Sequence, residues 1–185
     1  MVRITGGQWK GFTLLTPPKI RATEAKVRQA LFNILAPIIP GAQVIDGYAG
    51  SGALGLEALS RGAAFVAFIE SDGEAVVSIR DNLERLSAEL TREAWRVLHL
   101  ELERGLRALA KTEPPFDLIL LDPPYRSDEA KKALNTVEEC AILAPTGIVA
   151  IEHHRQTALP SSSGSLQAFK QHRYGDTVLS FYRAG

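Results

Sequence analysis

Most of what would mark a secreted, metal-binding or membrane protein is missing from this chain. It has a single cysteine, Cys140, so neither an intrachain disulfide nor a cysteine-based metal site can form. Methionine is also single and asparagine is scarce, a composition found in heat-adapted proteins. No apolar run approaches the roughly 20 residues that span a bilayer, and the N-terminus does not read as a signal peptide. The expectation is a soluble, cytoplasmic protein with no membrane partner and no bound metal. Neither sign of charge dominates: 21 Lys and Arg face 21 Asp and Glu. The global basic signature of many nucleic-acid binders is therefore absent. Internal repeats are absent too, and the one low-complexity piece, Pro160 to Ser165, reads as a loop.

What is present is an uneven charge distribution and a strong periodic pattern. Residues 1–36 hold Arg3, Lys10, Lys19, Arg21, Lys26 and Arg28 against Glu24 alone. That is +5, leaving −5 elsewhere, and a basic end of this kind attracts polyanions. "VRITGGQWKGFTLL" has two β-prone runs about a Gly-rich turn and predicts a hairpin. Pro17 and Pro18 then break the chain. From Thr23 the period is helical, with Val27, Ala30, Leu31, Ile34 and Leu35 on one face and Lys26, Arg28, Gln29 and Asn33 on others.

After Pro40-Gly41, five strand-like runs alternate with helical ones. The strands are "QVID", "AFVAFIE", "AWRVLHL", "FDLILLD" and "GIVAIEH". The pattern predicts an α/β fold: a mostly parallel sheet with helices on both faces and ligands at the carboxyl ends of the strands. Two further β runs meet at Tyr174-Gly175-Asp176, a closing hairpin. The predicted organisation is a basic hairpin-and-helix extension over 1–40 and the α/β domain over 41–185.

"VIDGYAGSGALGLEAL" follows a strand and opens a helix, and Gly50, Gly52 and Gly55 satisfy G-x-G-x-x-G. Glu70 ends the next strand, where an acid can hold a ribose diol. A dinucleotide would set its pyrophosphate near Asp46 and be repelled. S-adenosylmethionine (SAM) carries an ammonium there instead, which Asp46 attracts.

In a doubly wound sheet the fourth strand lies beside the first, so Asp122 emerges next to this loop. Asp122-Pro123-Pro124-Tyr125 then has a chemical use. Pro-Pro holds the backbone extended. Asp122 and the Pro123 carbonyl can accept from a planar NH2 group, and Tyr125 offers a face for a base. Acceptors on both hydrogens make a delocalised amine a better nucleophile, and alignment does the rest. The motif serves guanine N2 and adenine N6 alike. A non-catalytic SAM- or RNA-binding module is a third reading, against which the intact motif argues.

"RITGGQWKG", "VRQALFNIL", "DGYAGSGALGLEALSRGA", "DPPY" and "YGDTVLSFYR" together resemble the RsmD-type 16S rRNA guanine-N2 methyltransferases, Rossmann-like class I SAM-dependent enzymes. The resemblance runs nearly end to end. It implies a seven-stranded sheet with an antiparallel last strand, and methyl transfer to one guanine of 16S rRNA in an assembling small ribosomal subunit. It assigns Asp46, Gly47, Tyr48, Ala49, Gly50, Ser51 and Gly52 to the methionine part, with Asp122 beside it. Glu70 and Ser71 go to the ribose, and Glu101 and Leu102 to the adenine. Asp122 to Tyr125 would receive the guanine, and Arg3, Lys10, Arg21, Thr23 and Arg28 would meet rRNA. The chain departs from the family at Ala22, where a proline is usual, and at Glu101-Leu102. Trp9 and Trp95 read as packing residues, Asn82 as a surface or capping group, and His153-His154 as a strand-end pair without a ligand role.

Overall fold

Among the described residues, thirteen of the fifteen principal elements serve a single sheet and its two helical layers, and the remaining two form a small hairpin at the N-terminus. The computed structural model describes residues 2–18, 25–86, 88–125 and 128–185. The hairpin comprises β1 (Val2–Arg3) and β2 (Thr13–Leu14), and helix α1 spans Ala25–Leu35. The alternation follows as β3 (Gln43–Gly47), α2 (Ala53–Ser60), β4 (Phe65–Glu70), α3 (Gly73–Arg85), β5 (Trp95–His99), α4 (Leu102–Thr112), β6 (Phe116–Leu121), α5 (Glu129–Cys140) and β7 (Leu143–His154). The chain closes with the two-residue β8 (Ser162–Ser163), then β9 (Leu166–Tyr174) and β10 (Thr177–Ala184).

The large sheet has the order β5-β4-β3-β6-β7-β10-β9-β8. The five strands from β5 to β7 are parallel, and β10 returns antiparallel against β7. The expected seven strands are all there, and β8 adds a short edge. The central strands are apolar on both faces because both are covered. Val44, Val66, Phe68, Leu118, Leu120, Leu179 and Phe181 share a core with α1, α2 and α3. Ile45, Ile69, Ile119, Leu121, Ile151 and Tyr182 share one with α4 and α5.

Residue 40 is not a packing boundary. Ile4, Trp9, Leu14, Val27 and Phe32 belong to the same core as β3 and β4. A buried ionic cluster fixes the segment to α2. Glu57, wholly buried, accepts from Thr5 N at 2.7 Å, Thr5 Oγ1 at 2.8 Å and Arg61 Nε at 2.8 Å. Arg28 Nε lies 3.6 Å from the same carboxylate, and Arg28 Nη2 donates to the Arg3 carbonyl at 2.6 Å.

This corrects the assignment of Arg28 to an RNA-facing surface. Arg28 is 1% exposed and spends its guanidinium inside the protein. Burial lowers its pKa, and Glu57 acts in the opposite direction. Trp9 is a packing residue as read, buried, with Nε1 donating to Glu89 Oε2 at 2.6 Å.

Asn82 is likewise not a surface group. Fully buried on α3, it accepts from Leu15 N at 2.8 Å and donates to Leu15 O at 3.0 Å and Ser51 O at 3.3 Å. One side chain thus ties the N-terminal segment to the loop after β3. Asn82→Ala leaves those backbone groups unsatisfied, and a loss of about 2–3 kcal/mol is expected. Urea unfolding with an unchanged m-value is the measurement.

Candidate active site at the carboxyl edge of the sheet

Two loops meet because β3 and β6 are hydrogen-bonded neighbours, with Asp46 opposite Leu120 and Gly47 opposite Leu121. Asp122 follows immediately, its N–H 3.4 Å from the Gly47 carbonyl.

The first loop turns tightly. Tyr48, Gly50 and Gly52 all have positive φ (60°, 56° and 77°). Glycine adopts this without strain, but Tyr48 does not, and strain of this kind collects at functional sites. The turn is held by Ala49 N to Ile69 O at 3.1 Å and Gly52 N to Ala49 O at 2.7 Å. The Tyr48 hydroxyl reaches Glu129 Oε2 at 3.5 Å.

Three carboxylates converge on this turn. Glu70 accepts from Gly50 N at 2.7 Å through one oxygen and from Asp72 N at 2.8 Å through the other. Asp46 is 1% exposed, and its Oδ2 accepts from Gly55 N at 2.7 Å. Its Oδ1 is buried and has no hydrogen-bond partner among the described residues. Burial pushes the Asp46 carboxyl well above the usual carboxylate range. The Gly55 N–H opposes this, while the negative charges of Asp122 and Glu70 add to it. The folded-state pKa exceeds the unfolded one, so this group favours the fold most at low pH. That contribution is lost as the pH rises from 3.8 through the raised value.

The second loop is anchored at its aromatic end. The Tyr125 hydroxyl donates to Glu152 Oε1 at 2.7 Å and lies 3.0 Å from Thr177 Oγ1. The His154 ring flanks it at 5.9 Å between centroids. Tyr125 is thereby fixed to β7 and to the start of β10. Burial and the Glu152 carboxylate both raise its pKa, and the Thr177 hydrogen bond lowers it.

Asp46 through Gly52, Glu70, Asp122, Pro123, Pro124 and Tyr125 all lie at this edge of the sheet. Ser71 is exposed just past β4, where its carbonyl meets His99 Nε2 at 3.0 Å. Glu101 is exposed at the start of α4, and the Leu102 side chain is buried beside Gly47. Arg3 and Lys10 are exposed on the N-terminal hairpin, while Arg21 and Thr23 lie outside the described residues. Of the adjacent histidines, His153 is buried with Nε2 at 2.9 Å from Ser180 Oγ, and His154 faces Tyr125.

Glu152 and Thr177 were missed by sequence reasoning. Glu152 had a visible signal, a carboxylate inside the apolar run "GIVAIE". Thr177 had none, because only the antiparallel return of β10 brings it to the site.

The family described as Conserved hypothetical protein 95 matches residues 2–183. Ribosomal RNA small subunit methyltransferase D of Escherichia coli K12 is 35% identical over 98% of this chain and 89% of its own length. YlbH of Bacillus subtilis is 36% identical over 98% of both chains. The solved structure of Escherichia coli yhhF superposes with a TM-score of 0.84 and 34% identity, covering 99% of this chain and 97% of that one.

Gly55 lets α2 lie close against β4, since a Cβ there would strike the Phe68 ring. Gly55→Ala is expected to cost about 1–3 kcal/mol and to disturb the Asp46 hydrogen bond. A lowered thermal midpoint is the readout.

Proposed function

The chain belongs to the Conserved hypothetical protein 95 family, the RsmD type of rRNA methyltransferase, and from that premise we propose the following reaction. The protein transfers a methyl group from SAM to the exocyclic N2 of one guanine in 16S rRNA, within an assembling small subunit in the cytoplasm. The observation that carries the cofactor part is the buried, unpartnered Asp46 Oδ1 among three carboxylates. Such a pocket fits a cationic ligand and repels a pyrophosphate. When bound, SAM supplies an already activated methyl group on sulfur.

The chain's own residues do the rest. Asp46 holds the ammonium end, and the Gly47–Gly52 turn lets backbone approach it. Glu70 keeps the turn closed and offers its remaining lone pairs to a ribose diol. Glu101 and Leu102 border the adenine. Asp122 and the Pro123 carbonyl accept from the guanine amine, and Pro124 keeps the step extended. Tyr125, anchored through its hydroxyl, presents its ring to the base. Arg3 and Lys10, with Arg21 and Thr23, contact rRNA phosphates.

The reading is tested by methylating 16S rRNA and purified small subunits in vitro, then digesting the RNA for mass spectrometry. N2-methylguanine is expected, and N6-methyladenine or no product would overturn it. Asp122→Ala is expected to abolish transfer while SAM still binds by calorimetry.

Asp46 also predicts a pH dependence. The ionised carboxylate pairs with the ammonium, so SAM affinity should rise with pH above 3.8, through the raised Asp46 value. Binding should release a proton, seen as buffer-dependent calorimetric heats. Asp46→Asn should remove both effects.

A further inference from the structure

The C-terminal hairpin carries a cationic and aromatic strip that the site does not use. Residues 155–185 hold Arg155, Lys170, Arg173 and Arg183 against Asp176 alone, a net +3. Asp176 is bridged to Arg155 at 2.7 Å. Among the described residues Lys170, Arg173 and Arg183 have no salt-bridge partner.

The register sorts these side chains by face. Lys170 lies opposite Phe181 and His172 opposite Leu179, and both partners belong to the core with α1. Tyr174 packs against that same core and lies opposite Thr177. A bulge at Phe181 and Tyr182 releases Phe169, which is 40% exposed, with the Arg183 guanidinium 5.1 Å from its ring centre. The strip runs Tyr174, His172, Lys170, then Phe169 with Arg183. From Tyr174 to Lys170 it extends roughly 13 Å at the usual strand rise. Its upper end is at the candidate active site, because Thr177 also bonds the Tyr125 hydroxyl.

We propose that this face of the β9–β10 hairpin is a second RNA-binding surface, holding a single-stranded segment next to the target nucleotide. Lys170 on β9 and Arg183 on β10 can each meet a phosphate, and an exposed ring beneath a guanidinium offers a stacking platform for a base. No carboxylate lies anywhere on β9 to oppose a polyanion. The inference rests on the proposed RNA substrate and adds to the N-terminal contacts.

The test is equilibrium binding of a protein-free 16S rRNA fragment to wild type and to Lys170→Gln/Arg183→Gln, from low to moderate salt. Loss of two phosphate contacts should flatten the log–log salt slope by about 1.4. KM for RNA should rise severalfold, with kcat and SAM affinity unchanged. Arg104→Gln/Lys131→Gln, exposed on α4 and α5, removes the same charge from the opposite face and should change neither. Phe169→Ala should weaken binding without altering the slope. If wild type binds and methylates rRNA but the double variant keeps its slope and KM, the surface is refuted and the proposed function stands. An effect seen only with intact subunits, and absent on protein-free RNA, marks a protein contact and refutes it equally. If wild type binds no protein-free rRNA, the surface is refuted, and if it methylates neither protein-free rRNA nor small subunits, the functional reading itself fails.

Discussion

Pairing of β3 with β6 is the constraint on which the site depends. Because Gly47 sits opposite Leu121, Asp122 leaves its strand level with the glycine turn. A shift of one residue would turn the side chains of a strand to the other face. Here it would move Asp46 away from Gly55 and set the apolar runs of both strands against the wrong helices. The two cores therefore enforce the register that the chemistry needs. Val44 and Leu118 are fully buried on one face, Ile45 and Ile119 on the other.

This register also concentrates negative charge. Asp46, Glu70 and Asp122 approach closely enough for the latter two to raise the pKa of the first. The fold answers part of that cost with backbone donors: Gly55 N to Asp46, and Gly50 N and Asp72 N to Glu70. Asp46 Oδ1 is left without a donor among the described residues. A buried acceptor of this kind costs stability, and a cation arriving there would relieve it. The turn is thus least stable in the state that is ready to bind, a frequent trade between stability and function.

Much of this was legible in the sequence because it follows from period and turn chemistry. The unbroken apolar runs of β3, β4 and β6 signal strands covered on both faces, and their alternation with helices places Asp122 beside the glycine turn. Buried polar pairing was not legible. Arg28 occupies a helical position that period alone assigns to solvent, yet Glu57 from α2 draws it inside. The signal available was Glu57 itself, a carboxylate within the apolar helix "ALGLEALS" that must find partners. Asn82 gave no such signal, because its partners are main-chain groups at Leu15 and Ser51 that only the folded chain assembles. Arg21 and Thr23 fall outside the described residues.

The charge arrangement also bears on how an RNA would meet this protein. Residues 1–36 carry +5 and residues 155–185 carry +3, so the stretch between them, which holds the three site carboxylates, carries −8. The exposed cations of the two basic segments attract a phosphate backbone, and the site carboxylates repel it. A neutral nucleobase suffers no such repulsion and gains from acceptors placed to meet its amine. On the proposed substrate, the field alone would hold the backbone at the rim while a single base turns inward toward Tyr125. That division of labour needs the base to leave its stack, which is least costly in a single-stranded or partly assembled region. On that proposed substrate, the protein's own charge pattern favours a target base in such a region.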